Sequence, residues 1–409
     1  MTLPSDLKHR FPLLSQIVNG HNIVYLDSAA SSQKPDCVID AMNNYYETIN
    51  ANVHRGAYEI AAQATEEMEQ ARKRIANFIG CDSPHEVVFT KNATESFNLI
   101  ARSWGGSNLS QGDAVLITDM EHHANIVPWQ ILSAEKGFEI RWLPLTPDGL
   151  LDLDQLDQLL DGVKMVSVTA MSNVLGTLNP ISEIAERAHA AGALVAVDGS
   201  QYVPHLPTDV RELQADLLCF TGHKMCGPTG IGVLWGREEL LDSMPPFLGG
   251  GEMILDVRRD GFTANELPHK FEAGTPPIAE IIGLGAAVDF LNSLGMQNVR
   301  DHEIALTDYA LRSLNDRYGE EIVIHGPSDP LQRGGVISLE YHDVHPHDLS
   351  QVLDQRGICI RAGHHCAKPL MKELGVPATS RASMYLYNDE SDVDALVDSL
   401  ESAGEMFAL

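Results

Sequence analysis

Basic residues are scarce in this sequence. The 409-residue chain contains 28 lysines and arginines against 57 aspartates and glutamates, and its formal net charge is −29. A surface this acidic repels phosphate backbones and anionic membrane surfaces. We therefore expect neither nucleic acid nor a membrane among the partners of this protein.

Long apolar runs and paired cysteines are also missing. No stretch approaches the ~20 apolar residues that a membrane-spanning helix requires. The first ten residues, MTLPSDLKHR, lack the basic and then apolar layout of a secretion signal. The six cysteines are scattered without a CxxC pair, so a disulfide framework is not expected in a chain of this length. Together these absences predict a cytoplasmic protein.

The first three quarters of the chain alternate short apolar runs with helical patterns. EVVFT (86–90), AVLIT (114–118), VKMVSVTA (163–170) and ALVAVD (193–198) carry almost no polar interruption. Such runs are typical of strands buried on both faces of a parallel sheet that helices cover. The sequence thus predicts an α/β protein with a large domain over residues 21–290.

The pattern changes after about residue 290. In GGVISLEYH, Ile337, Leu339 and Tyr341 alternate with Ser338 and Glu340, a period of two that predicts one exposed face. We expect a smaller α+β domain over residues 291–409 that carries the loop of Cys366. Residues 1–20 are expected to pack against this small domain.

Three strand ends carry polar groups that suit one cofactor. Asn92, Ala93 and Thr94 open a helix whose free N–H groups could hold a phosphate, although a capped helix without a ligand explains them as well. Asp198 follows another buried run, and Lys224 follows a third. Ligands gather at the carboxyl ends of such strands. Pyridoxal phosphate requires a phosphate site, a carboxylate for its ring nitrogen and a lysine amine, and no P-loop or GxGxxG motif favours a nucleotide.

The stretch RAGHHCAKPL, from Arg361 to Leu370, leaves several roles open for its cysteine. A zinc site, a redox thiol, a nucleophile and a structural cysteine are all compatible with the residues alone. Zinc is disfavoured because adjacent side chains diverge and three consecutive residues seldom bind one tetrahedral ion. We expect no metal site, and we interpret the histidines of YHDVHPHD (341–348) as part of a solvated turn.

Motifs along nearly the whole chain resemble those of one family, the cysteine desulfurases of the class V aminotransferase group. The motifs, in order, are VYLDSAASSQKP, NVHRGAYEIAAQATE, EHHANIVPW, SNVLGT, VDGSQ, TGHKMCGPTGIG, FEAGTP, RAGHHCAKPL and SRASMYLYN. The short RxGHHCA form resembles the group II enzymes of the SufS and CsdA type. The resemblance implies the pyridoxal-phosphate-dependent transferase fold of type I and a homodimer.

The resemblance also assigns roles to individual residues. Lys224 would bind the cofactor covalently, with Asp198 at its ring nitrogen and Gln201 at its phenolic oxygen. His123 would stack on the cofactor ring and act as a third catalytic residue beside Lys224 and Cys366 by passing protons. The phosphate would be held by Thr94, Thr221 and His223, together with Thr275 of the other subunit. The substrate would be bound by Asn173, Arg361 and Arg381, with His54 and Arg55 near the entrance.

The activity that the resemblance implies is conversion of L-cysteine to L-alanine, with the sulfur left as a persulfide on Cys366. A SufE- or SufU-type acceptor protein would collect that sulfur for iron–sulfur cluster assembly. His364, His365, Arg361 and Lys368 would favour the Cys366 thiolate. A selenocysteine lyase acting on L-selenocysteine, another class V enzyme and a non-catalytic zinc or sulfur carrier are the alternatives. Two departures from the family pattern are Thr221 in place of serine and Cys226 in place of an aromatic residue, where we expect only a packing change.

Overall fold

A computed structural model of the protein describes residues 3–4 and 6–407. Residues 1, 2 and 5 of the predicted N-terminal segment therefore lie outside the described residues. The helices are α1 Asp36–Asn44, α2 Glu59–Phe78, α3 Ala93–Leu99, α4 Gly106–Asn108, α5 Val127–Lys136, α6 Leu156–Leu159, α7 Ile181–Ala190, α8 Glu238–Ser243, α9 Ile278–Leu294, α10 Met296–Tyr318, α11 Pro346–Asp354, α12 Lys368–Glu373 and α13 Glu390–Phe407. The strands are β1 Ile17–Val18, β2 His21–Asn22, β3 Val24–Tyr25, β4 Val87–Thr90, β5 Ala114–Thr118, β6 Glu139–Leu143, β7 Val163–Thr169, β8 Leu194–Asp198, β9 Leu217–Thr221, β10 Gly232–Gly236, β11 Ile254–Arg258, β12 Gly261–Ala264, β13 Ile322–His325, β14 Val336–Tyr341, β15 Ile358–Cys359, β16 Arg361–Gly363 and β17 Thr379–Ser383.

A seven-stranded sheet forms the centre of the molecule, in the order β4-β10-β9-β8-β7-β5-β6. Strands β5 to β9 pair in parallel, and only β10 runs antiparallel to its neighbours β4 and β9. Strands β4, β5, β9 and β10 are buried along their whole length. The prediction of strands buried on both faces is therefore confirmed. Because β4 to β9 all run in one direction, their carboxyl ends meet at one edge of the sheet.

The helix α2 shows how the sequence period matches the packing. Met68, Ala71 and Ile75 lie on its buried stripe and have no solvent exposure. Gly80 follows in the left-handed region at φ +69°, which lets the chain turn away from the helix end. The stripe packs on α9, whose apolar residues are buried almost all round.

A second, four-stranded antiparallel sheet has the order β13-β14-β17-β16. The prediction that β14 exposes one face is wrong, because only Glu340 in this strand is not fully buried. Ser338 has no solvent exposure, and its Oγ donates a hydrogen bond of 2.6 Å to the carbonyl oxygen of Val174. The second face of the small sheet is covered by the loop that follows β7, and the polar residue is satisfied there rather than by water.

The start of the chain contacts the C-terminal part closely. Strand β3 pairs in parallel with β15, so that Val24 lies opposite Ile358. Asn19 donates its side-chain amide to the carbonyl oxygen of Asp354 at 2.7 Å. Lys8 forms an ion pair of 2.7 Å with Asp392. The division of the chain at residues 20 and 290 stays a prediction.

Among the described residues, no single helix has both the length and the apolar character to cross a membrane. Helix α9 and the following stretch Met296–Glu321 meet a length and composition criterion only as a pair, and they are bent by 72° at their junction.

Candidate functional site

A cavity of about 200 Å³ lies at the carboxyl ends of β4, β7, β8 and β9. It brings together residues that the sequence analysis selected from distant parts of the chain. On its wall lie Thr94, Asn173, Asp198, Gln201, Thr221, His223, Lys224, Arg361, Cys366 and Arg381. The wall also contains residues that the analysis did not select, namely Ala29, Ala30, His122, Ala124, Thr169, Met171 and Ser200.

One corner of the cavity is the start of α3. Asn92 caps this helix, since its side-chain oxygen accepts a hydrogen bond of 2.9 Å from the N–H of Glu95. The first N–H groups of a helix have no partner within it, and its dipole favours an anion there. Gly232 of β10 makes room for this turn, because a Cβ atom on it would lie 2.5 Å from the backbone of Asn92. With Thr94, Thr221 and His223 nearby, the donor set suits a phosphate group.

A carboxylate and an amine lie at the carboxyl ends of the neighbouring strands β8 and β9. Asp198 ends β8 with 5% exposure, and its Oδ1 accepts a hydrogen bond of 2.9 Å from the N–H of Ser200. Lys224 lies just beyond β9. Burial lowers the pKa of Lys224 to about 8, although Asp198 opposes the shift. A lysine with this pKa has a substantial neutral fraction near neutral pH and can attack a carbonyl carbon.

The side-chain amide of Gln201 indicates whether the cavity suits pyridoxal phosphate. Its Nε2 donates to the carbonyl oxygen of Ala29 at 2.7 Å. Its buried Oε1 has no hydrogen-bond partner among the described residues. A buried amide oxygen without a partner is costly unless a ligand satisfies it. This orphan atom, the phosphate corner, the carboxylate and the amine together fit the cofactor.

Two arginines lie side by side on the cavity wall. Arg361 on β16 is the direct cross-strand partner of Arg381 on β17. Arg381 is 2% exposed and donates to the carbonyl oxygen of Asn173 at 2.9 Å and to Asp27 Oδ1 at 3.0 Å. Like charges opposite each other on neighbouring strands destabilise a sheet. A bound carboxylate relieves that repulsion, so the pair is suited to the acid group of an amino acid.

The loop that carries Cys366 is held in an uncommon conformation. His365 and Cys366 both have left-handed backbones, at φ +51° and +56°. Asn173 donates its side-chain amide to the carbonyl oxygen of His365 at 2.8 Å. The N–H of His123 donates to the carbonyl oxygen of Cys366 at 2.7 Å, and His123 Nε2 accepts from the N–H of Lys368 at 3.0 Å. These bonds fix a half-buried thiol on the cavity wall.

The structure corrects the position expected for His123. His122, and not His123, lies on the cavity wall. Burial, with smaller contributions from Lys224 and His123, lowers the pKa of His122 to about 3, so this ring is neutral. His123 instead holds the Cys366 loop. Because the two histidines are adjacent in one motif, the sequence alone could not distinguish which of them faces the cavity.

The structure also changes the expected role of His365. This side chain is 4% exposed, and its Nε2 lies 2.9 Å from Thr379 Oγ1. Burial, followed by the charges of Arg381 and Arg361, lowers the pKa of His365 to about 3. His365 therefore adds no positive charge beside Cys366 near neutral pH. The arginines on the cavity wall are Arg361 and Arg381.

Thr275, His54 and Arg55 do not lie on the cavity wall of this chain. Thr275 is exposed. The ring of His54 contacts that of His269, with centroids 4.9 Å apart, and Arg55 pairs with Glu252 at 3.0 Å. The expectation that Thr275 completes the site of a second subunit stays a prediction.

Comparisons with known proteins show the family of the chain. Residues 24–396 match the aminotransferase class-V family. The chain belongs to this family. It is 52% identical over 407 residues to a probable cysteine desulfurase of Streptomyces coelicolor, a match that covers 98% of this chain and 97% of the relative. It is 48% identical over 412 residues to a cysteine desulfurase of Haloferax volcanii, with 97% and 96% covered.

A solved structure with the same fold is the cysteine desulfurase CsdA (S-sulfonic acid) from Escherichia coli. The TM-score is 0.91, the identity is 37%, and the match covers 99% of each chain. The expected fold class, a mainly parallel sheet surrounded by helices as in the pyridoxal phosphate enzymes of this family, is confirmed. The resemblance to the SufS and CsdA type is confirmed as well.

Proposed function

We propose that this protein is a pyridoxal-phosphate-dependent cysteine desulfurase that leaves sulfur on Cys366. The observation that carries the proposal is one cavity whose wall contains Lys224 and Asp198 together with Cys366 and two arginines. The family relatives described above are named for this activity, which supports the proposal.

The cofactor would be held by residues of one sheet edge. The start of α3, with Thr94, Thr221 and His223, would bind its phosphate, while Asp198 would keep its ring nitrogen protonated. Lys224 would bind its aldehyde carbon, and His122 would make the ring contact first expected of His123. When bound, the cofactor withdraws electrons from the substrate, so that the α-proton leaves and the carbon–sulfur bond weakens.

The substrate would be oriented by its carboxylate. Arg381 is fixed by Asn173 and Asp27, so its guanidinium is presented with little freedom to move. Together with Arg361 it would bind the carboxylate through paired hydrogen bonds. This arrangement directs the other end of the amino acid, with its sulfur, toward the Cys366 loop.

Cys366 would then act as the nucleophile. Its thiolate attacks the substrate sulfur, so that a sulfur–sulfur bond forms and the bond between that sulfur and Cβ breaks. The electron pair of the broken bond stays with the carbon fragment, which takes up protons and leaves as alanine. Cys366 is left as a persulfide, and its half-buried position lets an acceptor thiol reach it.

The wider setting of the reaction belongs to the same proposal. We infer a homodimer in which Thr275 reaches the partner's phosphate site, and a cytoplasmic location. A SufE- or SufU-type protein would accept the sulfur for iron–sulfur cluster assembly. These inferences are supported by the family membership of the chain.

The proposal is tested with three variants of the purified holoenzyme. Lys224→Ala should lose both turnover and the covalent label that borohydride reduction places on the parent's lysine, as read by peptide mass spectrometry. Cys366→Ser should keep that label but form no persulfide and release no sulfide from L-cysteine with a reductant. Cys359→Ser is the matched control, since Cys359 is also half-buried but does not lie on the cavity wall. Full desulfuration by Cys366→Ser would refute the proposal.

A further inference from the structure

A cluster of two histidines and a glutamate lies apart from the cavity wall. His54, Glu69 and His269 are half-buried, and their ligand atoms all lie within 4.8 Å of one another. The Nε2 of His54 is 3.8 Å from Glu69 Oε1, too far for a hydrogen bond. No motif of the sequence indicates this cluster, because its members lie on three separate segments of the chain.

We infer that His54, Glu69 and His269 form a binding site for one divalent transition metal ion of the zinc type. Two imidazole nitrogens and one carboxylate are ligands that Zn²⁺ accepts, with water in the fourth position. Zinc bonds of about 2.0–2.2 Å place neighbouring tetrahedral ligand atoms about 3.3 Å apart. To reach this spacing the His54–Glu69 pair, at 3.8 Å, needs to contract by about 0.5 Å, and the pairs with His269, which lie within 4.8 Å, by at most about 1.5 Å.

The backbone prepares His54 for this contact. His54 has a left-handed backbone at φ +67°, an uncommon conformation for a residue with a side chain. Its N–H donates to Thr65 Oγ1 at 3.0 Å, and this hydroxyl donates to the carbonyl oxygen of Ala61. The strained conformation is thus held by α2, the helix that also carries Glu69. Such strain is concentrated at functional sites.

The surrounding groups orient the proposed ligands. Arg72 donates from Nε to Glu69 Oε2 at 2.9 Å and from a terminal nitrogen to Oε1 at 3.2 Å, which fixes the carboxylate and leaves Oε1 a lone pair. Glu272 Oε2 lies 3.7 Å from His269 Nδ1, an ion-pair distance that is too long for a hydrogen bond. A donor behind a metal-binding carboxylate is a common feature of metal sites.

Charge also favours a cation here. The guanidinium of Arg72 is neutralised by a two-pronged ion pair with Glu272, at 2.6 and 3.0 Å. The neighbouring Arg55 is paired with Glu252. The negative charge of Glu69 is therefore not balanced by Arg72 or Arg55, each of which is paired with another glutamate.

The test measures binding of Zn²⁺ to the metal-stripped holoenzyme by competition with a chromophoric chelator. The parent should bind one Zn²⁺ per chain that His269→Gln and His54→Gln each bind at least about 10-fold more weakly. Zn²⁺ should raise the unfolding temperature of the parent but not of the two variants. The matched control is His345→Gln combined with His347→Gln, a histidine pair whose rings stack 5.7 Å apart, and it should bind like the parent.

Other outcomes would overturn the inference. Equal Zn²⁺ binding by the parent and both single variants would mean that these histidines are not ligands. Loss of the bound Zn²⁺ in Cys366→Ser, with His269→Gln unaffected, would place the ion at the thiol of the cavity. Cofactor absorbance and unfolding temperature without Zn²⁺ show whether each variant is folded, and the use of two separate histidine variants provides an independent check.

Discussion

The hydrogen bond between His123 and the Cys366 loop offers a sharp test of the site geometry. We expect His123→Ala to loosen residues 364–368 without disturbing cofactor binding, because His123 does not lie on the cavity wall. The substitution removes the acceptor of the Lys368 N–H but leaves the backbone bond from residue 123 to Cys366. One hydrogen bond contributes about 0.5–1.5 kcal/mol net, so the open state of the loop should become about 2- to 13-fold more populated.

The assay is the rate at which an alkylating reagent modifies Cys366 in the resting holoenzyme, followed by mass spectrometry of the peptide. The expected increase is about 2- to 13-fold for His123→Ala. His123→Gln offers an amide oxygen to Lys368 and should recover part of the protection. His347→Ala, on the exposed start of α11, is the remote control. An unchanged alkylation rate in His123→Ala would refute the role of this bond.

The same bond makes the loop sensitive to pH. Burial, followed by the charges of His364 and Lys368, lowers the pKa of His123, so the neutral ring that accepts the bond prevails above the ordinary value of about 6.5. As pH falls through the lowered pKa, the ring takes up a proton at Nε2 and can no longer accept. The difference in Cys366 alkylation rate between the parent and His123→Ala should therefore become smaller in acid. A ratio of their alkylation rates that is constant from pH 8 to pH 4 would contradict this reasoning.

Three further substitutions test other parts of the structure. Glu272→Gln should lower the free energy of unfolding by about 3 kcal/mol at pH 7, because it leaves the buried Arg72 short of a partner. Burial alone would raise the pKa of Glu272, but Arg72 lowers it to about 2. The difference in free energy of unfolding between Glu272→Gln and the parent, measured with denaturant, should therefore disappear as the pH falls from about 4.5 to 2. Gly232→Ala should weaken cofactor binding by at least about 10-fold, because the new Cβ atom displaces Asn92. Equilibrium dialysis measures this affinity, and an unchanged value would contradict the prediction. Cys226→Ala should leave turnover within about twofold, since the thiol is fully buried and burial raises its pKa to about 12; a large loss would show a role in the reaction.

Residues at strand ends were the part of the site that could be predicted without a family. Thr94, Asp198 and Lys224 each follow a buried apolar run, and the parallel sheet brings such positions together at one edge. Asn173, Arg361 and Arg381 depended on the resemblance, because their position arises from packing between the two sheets. Which histidine of an adjacent pair faces the cavity depends on the path of the loop, and the motif EHHAN has the same letters in either case.

The error in the small sheet has a related physical cause. Alternation of apolar and polar residues in β14 predicts a wet face only if nothing else packs on that face. Here Ser338 bonds to the carbonyl of Val174, the residue next to Asn173 on the cavity wall. A buried polar residue with a satisfied hydrogen bond is indistinguishable in sequence from an exposed one. The packing that buries this strand also brings Arg381, on the adjacent β17, to Asn173.

Cations are concentrated in the cavity of an otherwise acidic chain. Lys224, Arg361 and Arg381 lie on its wall with Asp198 as the carboxylate, whereas the whole chain carries a formal charge of −29. Charges on the outer surface act through water and salt and fall off over a Debye length of about 10 Å at 0.1 M ionic strength. Groups within the cavity are screened much less, so they decide what it binds. The cavity can therefore attract a phosphate and an amino acid carboxylate while the surface repels large polyanions, and this division depends on Lys224 and on Arg381, which is 2% exposed, being held within the cavity.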